Sequence, residues 1–233
     1  PDSEEDILEF CHGLLRETLF NRLKDRRATR NTHLAAARAK EKYYDRNGDA
    51  HADAIADHYE EARDWPNALD WHLRAGDVAR RSWDLRACEQ RYRHAKALME
   101  QLSRTDPDKQ MRISEGLGDL CYIDGRYEEA EQHFSVAFNA AEAAGNGRAM
   151  AHLLFRKGNT AREQRDFRQA DASFRECLAV SRALGDRSGI GSALLGLSLL
   201  NRHRSRLEDA HRFITAAEER FEIMEDTRAL ADC

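Results

Sequence analysis

The sequence of 233 residues repeats itself with a period of 40 residues along its second half. Three segments align at this spacing: GRYEEAEQHFSVAF begins at Gly125, RDFRQADASFRECL at Arg165 and SRLEDAHRFITAAE at Ser205. A fixed period of this length indicates a repeat architecture in which each unit packs on its neighbours. Residues of the same type recur in register: Ala130, Ala170 and Ala210; Tyr127, Phe167 and Leu207; Phe134, Phe174 and Ile214; Ala137, Cys177 and Ala217.

Each 40-residue unit has the pattern of two helices joined by a tight turn. The apolar residue four places after each alanine lies on the same helix face as that alanine. In the preceding helix, small residues recur at Gly118, Gly158 and Ser198, and we expect them to let the two helices approach closely, against the alanines. Gly145 and Gly185 occupy places where a helix should end. Because one unit cannot bury its apolar face alone, stacked units are expected to bury it together.

These residues resemble the tetratricopeptide repeat family in its 40-residue variant, over about Asp108 to Ala231. The runs LLFRKGN at Leu153 and ALGDRSG at Ala183 are typical of that variant. The resemblance implies an all-α, right-handed superhelix of antiparallel helix pairs, an α-solenoid, over residues 106–233. Arg228–Ala231 aligns 40 residues after Ser188–Gly191, so we expect a further, truncated repeat to open there.

The preceding segment, residues 48–105, carries a degenerate form of the same pattern. HADAIADHYEEARDWPNALDWHLRAG, from His51, has the pattern of two helices. Asp64-Trp65-Pro66 is expected to form the turn between them, since proline suits the first turn of a helix. Trp65 and Ala68 then take the turn-packing and small-residue places. The corresponding places in the following helix belong to Leu85, Cys88, Tyr92 and Ala95.

The first 47 residues have a different pattern. We expect a short strand at Ile7–Phe10, a helix through Leu14–Leu23 and a second helix over about Asn31–Tyr44. The stretch resembles the end of the winged-helix region in bacterial signal-transduction ATPases. The residues that carry this resemblance are Phe10, His12, Arg26, Arg27, His33 and the motif Asp57-His58-Tyr59-Glu60. It implies a winged-helix remnant and linker helices over residues 1–47, placed downstream of a nucleotide-binding domain.

Composition excludes several broad classes of protein. Only 3 Pro and 13 Gly among 233 residues favour an all-helical chain. The net charge of -5 disfavours a globally basic nucleic-acid binder. No apolar run approaches the roughly 20 residues that a membrane span needs. Five scattered cysteines without a CxxC pair indicate buried free thiols in a reducing compartment, so we expect a cytoplasmic location.

No motif indicates catalysis, a cofactor or a metal. The chain lacks a GxxxxGK[ST] loop, an HExxH helix and a GxSxG elbow. His51 and His58, seven residues apart on one predicted helix, could present two ligands on one face, although ordinary packing or surface histidines are the more common case. We therefore expect no enzymatic activity, no catalytic residue, no cofactor and no metal site.

The resemblance locates a candidate peptide-binding groove, because the first helix of each tetratricopeptide pair lines the concave face. Arg162 and Arg202 lie one repeat apart, and arginine forks bind carboxylates, so an acidic or C-terminal peptide is a plausible ligand. Asn159 matches one asparagine of the family's chaperone-binding clamp, but the clamp lysines are absent, so chaperone binding is not predicted. The alternative is that the arginines pair with neighbouring acids. The candidates are Arg112, Asp119, Tyr122, His152, Arg156, Asn159, Arg162, Leu199 and Arg202.

These patterns predict a protein–protein interaction scaffold, the sensor or recruitment module of a larger bacterial signalling protein. The partner would be a protein or peptide segment, with acidic character, or the upstream domain of the same chain. The alternative is a nucleic-acid-binding regulator, because Arg16–Arg46 holds ten Lys or Arg against four acids. We regard nucleic acid as the less favoured partner, since no groove-reading helix accompanies the charge. Its candidate phosphate contacts are Arg22, Lys24, Arg26, Arg27 and Arg30.

Overall fold

A computed structural model describes residues 26–43, 48–102 and 106–222 of the chain. These residues form ten α-helices and one short 3-10 helix, Gly48–His51, with no strand among them. The all-α prediction is therefore confirmed. The helices are α1 (Arg26–Tyr43), α2 (Ala52–Glu61), α3 (Trp65–Arg81), α4 (Leu85–Leu102), α5 (Pro107–Ile123), α6 (Tyr127–Ala143), α7 (Gly147–Glu163), α8 (Phe167–Leu184), α9 (Arg187–His203) and α10 (Leu207–Glu222).

The chain divides into two compact units, Pro1–Ala75 and Gly76–Cys233, and the boundary lies within α3. In the first unit, α1 packs on α2, and the 3-10 helix packs on α2 as well. The predicted domain boundaries after residues 47 and 105 stay predictions.

The N-terminal prediction is tested only over α1. This helix begins at Arg26, earlier than the predicted Asn31, because Arg and Ala are good helix formers and no Pro or Gly interrupts them. The predicted strand at Ile7–Phe10 and helix at Leu14–Leu23 lie outside the described residues, and a winged-helix remnant is not shown. The further repeat expected from Arg228 also lies outside them.

In the second unit, successive helices pack as pairs that stack on one another. The closest packing joins α5 with α6, α7 with α8 and α9 with α10. The next closest joins each pair to the following one, through α6 with α7 and α8 with α9, and the first helices α7 and α9 also touch. This arrangement is the stack of helix pairs that the 40-residue period predicts.

The turns between these helices recur with the same backbone geometry. Gly125, Gly145 and Gly185 have positive φ angles of 74°, 66° and 65°, as predicted for the ends of helices at 145 and 185. The N–H of Asn146 donates to the carbonyl of Ala141 at 2.9 Å, which closes the last turn of α6. Arg165, one repeat after Gly125, adopts the same left-handed conformation at φ 61°.

Replacing Arg165 with glycine is expected to stabilise the second unit by about 0.5–1 kcal/mol. A non-glycine residue in the left-handed region costs about 1–2 kcal/mol, which the extra backbone entropy of glycine only partly offsets. The matched control is Gly125→Ala, which should destabilise by a similar amount. Urea unfolding of both variants measures the two values, and a destabilised Arg165→Gly protein would contradict the explanation.

The glycines of the first helices make room for buried aromatic rings. A Cβ on Gly118 would lie 2.7 Å from a ring carbon of Phe134, and a Cβ on Gly158 would lie 2.5 Å from one of Phe174. The predicted close approach is confirmed, but the group that requires it is the ring rather than the neighbouring alanine. In the next repeat the ring is replaced by Ile214, and the Ser198 hydroxyl donates to the Ala210 carbonyl at 2.9 Å.

Three of the five cysteines lie in the described part of the chain, and all three are free and buried, as predicted. Burial raises the pKa of the Cys88 and Cys177 thiols to about 11, so these thiols remain protonated and unreactive at neutral pH. Cys11 and Cys233 lie outside the described residues. None of the described helices is both long and apolar enough to cross a membrane.

Candidate binding face on the first helices

The nine predicted groove residues all lie on the first helices α5, α7 and α9 of the second unit. We call the surface they share the inner face, and include in it Asp77 and Arg80 at the end of α3 and Glu115 on α5. The α5 members are Arg112, Asp119 and Tyr122; the α7 members are His152, Arg156, Asn159 and Arg162; the α9 members are Leu199 and Arg202.

The carboxylate of Asp119, on α5, connects this helix to α3 and α7. Arg156 on α7 donates through Nη2 to Asp119 Oδ1 at 2.5 Å, and Arg80 on α3 donates through Nη1 to Oδ2 at 3.3 Å. The Arg156 guanidinium also lies 5.0 Å from the ring centroid of Tyr122 and 5.2 Å from that of Phe134. Asp119 is therefore a shared counter-ion, and Arg156 is held by both a charge and two aromatic faces.

A second pair of charges lies beside the first, between α3 and α5. Arg112 pairs with Asp77, whose other carboxylate oxygen accepts a hydrogen bond from the Tyr92 hydroxyl at 2.6 Å. Burial and this bond to Asp77 raise the pKa of Tyr92, so the phenol remains a neutral donor. The predicted groove residue Arg112 is thus already neutralised by its own chain.

His152 on α7 and Glu115 on α5 form the third link between first helices. His152 Nε2 lies 3.1 Å from Glu115 Oε1. Burial raises the pKa of Glu115, but the hydrogen bond to His152 and the charges of His152, Arg80 and Arg156 outweigh it, and the net pKa is lowered. The Glu115 side chain is therefore an ionised acceptor that occupies His152.

Arg162 is mostly enclosed, with 14% of its side chain exposed, and pairs with Glu163 at 2.8 Å. Its Nε and that of Arg156 are buried without a hydrogen-bond partner in the described structure. Burial and the charge of Glu163 raise the pKa of Tyr122, against the opposing effect of Arg162 and Arg156. Asn159, on the same helix, is 9% exposed.

The α9 part of the inner face differs from the α5 and α7 parts, because its arginine has no acidic partner among the described residues. Leu199 is half-buried, and Arg202 is exposed and makes no salt bridge with any described residue. Arg162 and Arg202, which lie one repeat apart, therefore differ: Arg162 is enclosed and paired, whereas Arg202 is open. The alternative interpretation, in which the groove arginines pair with neighbouring acids, applies to Arg112, Arg156 and Arg162.

Asp77, Arg80 and Glu115 were missed by the sequence analysis. A usable signal existed, because Arg80 precedes Asp119 by 39 residues and Asp119 precedes Arg156 by 37. Opposite charges at nearly one repeat period should meet across neighbouring first helices, since equivalent positions of a solenoid stack.

A small cavity of about 100 Å³ lies between α7 and the beginning of α9. His152 and Phe155 line it from α7, and Ser192 from α9, so it is continuous with the inner face. Arg148 and Asp186 bring opposite charges to its wall, so the cavity favours neither an anion nor a cation. The remaining lining residues are Ala151, Cys177, Ser188 and Gly189.

The structure gives less support to the candidate phosphate contacts and histidines that lie outside the inner face. Arg22 and Lys24 lie outside the described residues, and the side chains of Arg26 and Arg27 are not described either. Arg30 donates through Nε to the carbonyl of Ala62 at 3.3 Å. His58, predicted as an ordinary packing or surface histidine, contacts His33 with 3.0 Å between the two Nδ1 atoms.

Comparison with known proteins gives matches in structure but not in sequence. No family model and no curated protein sequence matches the chain. The chain superposes on a signal transduction ATPase with numerous domains (STAND) and a tetratricopeptide repeat sensor from Pyrococcus horikoshii, with a TM-score of 0.70 and 14% identity. That match covers 94% of this chain and 36% of the larger protein.

Two further solved structures have the same arrangement of helices. Aspartyl phosphate phosphatase F from Bacillus subtilis superposes with a TM-score of 0.64 and 13% identity, over 94% of this chain and 58% of that one. The TPR-like repeats of a putative kinesin light chain from P. anserina superpose with a TM-score of 0.62 and 8% identity, over 88% of this chain and 100% of that one. At these identities the likeness concerns the fold alone. The chain is therefore a helical-repeat protein with the tetratricopeptide-repeat fold.

Proposed function

We propose that the chain is a protein-interaction scaffold that binds a peptide or protein segment along its inner face. The observation that carries this proposal is the inner face itself, where successive first helices present side chains in register. The tetratricopeptide repeat sensor of the STAND protein supports the finer proposal of a sensor or recruitment module in a larger bacterial signalling protein. The absence of enzymatic activity and a cytoplasmic location belong to the same proposal.

The α9 part of the inner face is the stronger candidate for ligand contact. A ligand that approached Arg112 or Arg156 would have to compete with Asp77 or Asp119, and the Arg156–Asp119 pair is partly buried, so breaking it is the more costly of the two. Arg202 has no such competitor among the residues that the structure describes, and Leu199 beside it offers apolar surface. We therefore expect a partner segment that combines an apolar residue with one carboxylate, rather than a strongly acidic peptide.

A capture experiment with matched variants tests this function. The full chain is immobilised and incubated with source-cell extract, alongside Arg202→Glu and the control Arg168→Glu. Both residues are exposed arginines, but Arg168 lies on the second helix α8. Reversing the charge at Arg202 should reduce recovery of the partner about tenfold, since about 1.4 kcal/mol changes affinity tenfold. Arg168→Glu should bind like the original chain.

The nucleic-acid alternative is tested in the same experiment by a nuclease treatment. A protein retained after nuclease and lost in Arg202→Glu supports the scaffold. Equal recovery in both arginine variants would remove the inner face as the binding surface. Nucleic acid alone, lost on nuclease treatment, would favour the basic N-terminal segment instead.

A further inference from the structure

A contact between two imidazole rings joins α1 to α2 in the first unit. His33 Nδ1 and His58 Nδ1 are 3.0 Å apart, and the ring centroids are 5.2 Å apart. The centroid separation exceeds the nitrogen separation by 2.2 Å (5.2 − 3.0), about two ring radii, so the two nitrogens face each other head-on. This is the geometry of an N–H···N hydrogen bond, in which one ring donates and the other accepts on an unprotonated nitrogen.

The same geometry argues against a metal ion between the rings. A shared ion needs two lone pairs that converge on it at an angle, each about 2.0–2.1 Å away. Nitrogens that face each other at 3.0 Å leave no room for an ion between them. A proton is therefore the only species that fits this contact.

Polar contacts contribute to the packing of α1 on α2. Among its described side chains, only Ala37 is fully buried. Apart from the imidazole pair, Arg30 donates to the Ala62 carbonyl at 3.3 Å, and the Tyr59 hydroxyl donates to Glu41 at 2.5 Å. Because little apolar area holds α1 in place, the loss of one good hydrogen bond should shift its docking measurably.

We propose that His33 and His58 form a proton-sensitive latch, which holds α1 on α2 at neutral pH and releases it below about pH 6. The docked pair can carry one extra proton at most, because two Nδ1–H groups cannot point at each other at 3.0 Å. Once α1 is released, both imidazoles can be protonated. Acid therefore favours the released state by mass action.

Burial and the charges around the two imidazoles also favour the release of α1 at acidic pH. Burial is the largest effect that lowers the pKa of His58. The charges of His33 and of Lys40 on α1 lower it further, while Asp57 on α2 opposes them. Because the docked pKa lies below the ordinary value of about 6.5, docking is at full strength above that pH and weakens as pH falls. Three other acids of the first unit have partners of their own: Asp49 pairs with Arg74 at 2.9 Å, Glu60 with His72 at 2.8 Å, and Glu41 accepts from Tyr59.

Amide hydrogen exchange in the full chain tests the latch. Protection of residues 28–43 is measured at pH 7.5 and pH 5.0, with labelling times corrected for intrinsic exchange. If the released state binds one more proton with a pKa of about 6.5, protection should fall about 30-fold at pH 5.0. No fall in the original chain would overturn the proposal.

The decisive variant is His58→Asn, since the asparagine oxygen takes the place of the accepting nitrogen and does not titrate. Protection at pH 5.0 should then stay within about threefold of its value at pH 7.5. His33→Asn is a second variant with the same expectation, should the first fold poorly. The control His211→Asn, at an exposed histidine of α10, should keep the full 30-fold fall. An equal fall in both latch variants would show that another group titrates.

Discussion

Introducing serine at Gly158 is expected to destabilise the second unit by about 1–3 kcal/mol, the usual effect of overpacking a core. The new Cβ would lie 2.5 Å from a ring carbon of Phe174. A Cβ on Gly196 would also lie 2.5 Å from a ring carbon of Phe174, so the ring is in close contact with both α7 and α9. Phe174 is itself fully buried, so the clash must be relieved by moving helices.

The next repeat of the chain avoids this clash with a different pair of residues. One repeat later, serine at 198 accompanies isoleucine at 214 instead of phenylalanine. The double variant Gly158→Ser, Phe174→Ile copies that pair, and we expect it to lose less stability than the sum of its single variants, by about 0.5–3 kcal/mol. Urea unfolding of the four proteins measures this coupling. If the stability losses of the two single variants simply add up in the double variant, Gly158 is not needed to make room for the Phe174 ring.

Gly147→Ala provides the matched control for the glycine. Its Cβ would meet the end of the flexible Leu184 side chain at 3.1 Å, rather than a fixed ring. Leu184 is also about half exposed, so its side chain can change rotamer to make room. We expect Gly147→Ala to change the free energy of unfolding by less than about 0.5 kcal/mol.

The repeat could be predicted from sequence because its signals are local and periodic. Ala130, Phe134 and Gly145 each have equivalents at the same spacing, and the helix faces and ends follow from them. The ring that needs Gly118 could not be identified in the same way. Side chains on a helix point towards its N-terminus, so the group opposite a small residue depends on how the two helices cross.

The inner face shows the same limit more strongly. Its position on the first helices could be predicted, and the spacing of Arg80, Asp119 and Arg156 indicates that these charges can meet. The sequence does not show that one carboxylate serves both arginines. Salt bridges depend on rotamers and on the distance between helices, and a sequence lists several acids for each arginine. The result matters for function, because the groove arginines chosen as ligand contacts are mostly occupied by the chain itself.

Removing the Asp119 carboxylate should show how much its ion pairs with Arg80 and Arg156 contribute to stability. Asp119→Ala is expected to destabilise the second unit by about 1–2 kcal/mol, less than for a fully buried pair, because both Asp119 and Arg156 are about one-fifth exposed. Adding Arg156→Met should recover part of that loss, since an apolar side chain can remain on Tyr122 and Phe134. Thermal unfolding of the single and double variants measures both values. A double variant less stable than Asp119→Ala alone would contradict the explanation.

The same variant separates two kinds of partner. Asp119→Ala leaves Arg80 and Arg156 without their shared counter-ion, so the α3–α7 part of the inner face becomes more positive. A strongly acidic peptide should then bind more tightly, because it no longer competes with Asp119. A partner that depends on Leu199 and Arg202 should bind with unchanged affinity, provided the protein is folded at the assay temperature. Titration of the captured partner against both proteins therefore tells which part of the inner face it uses.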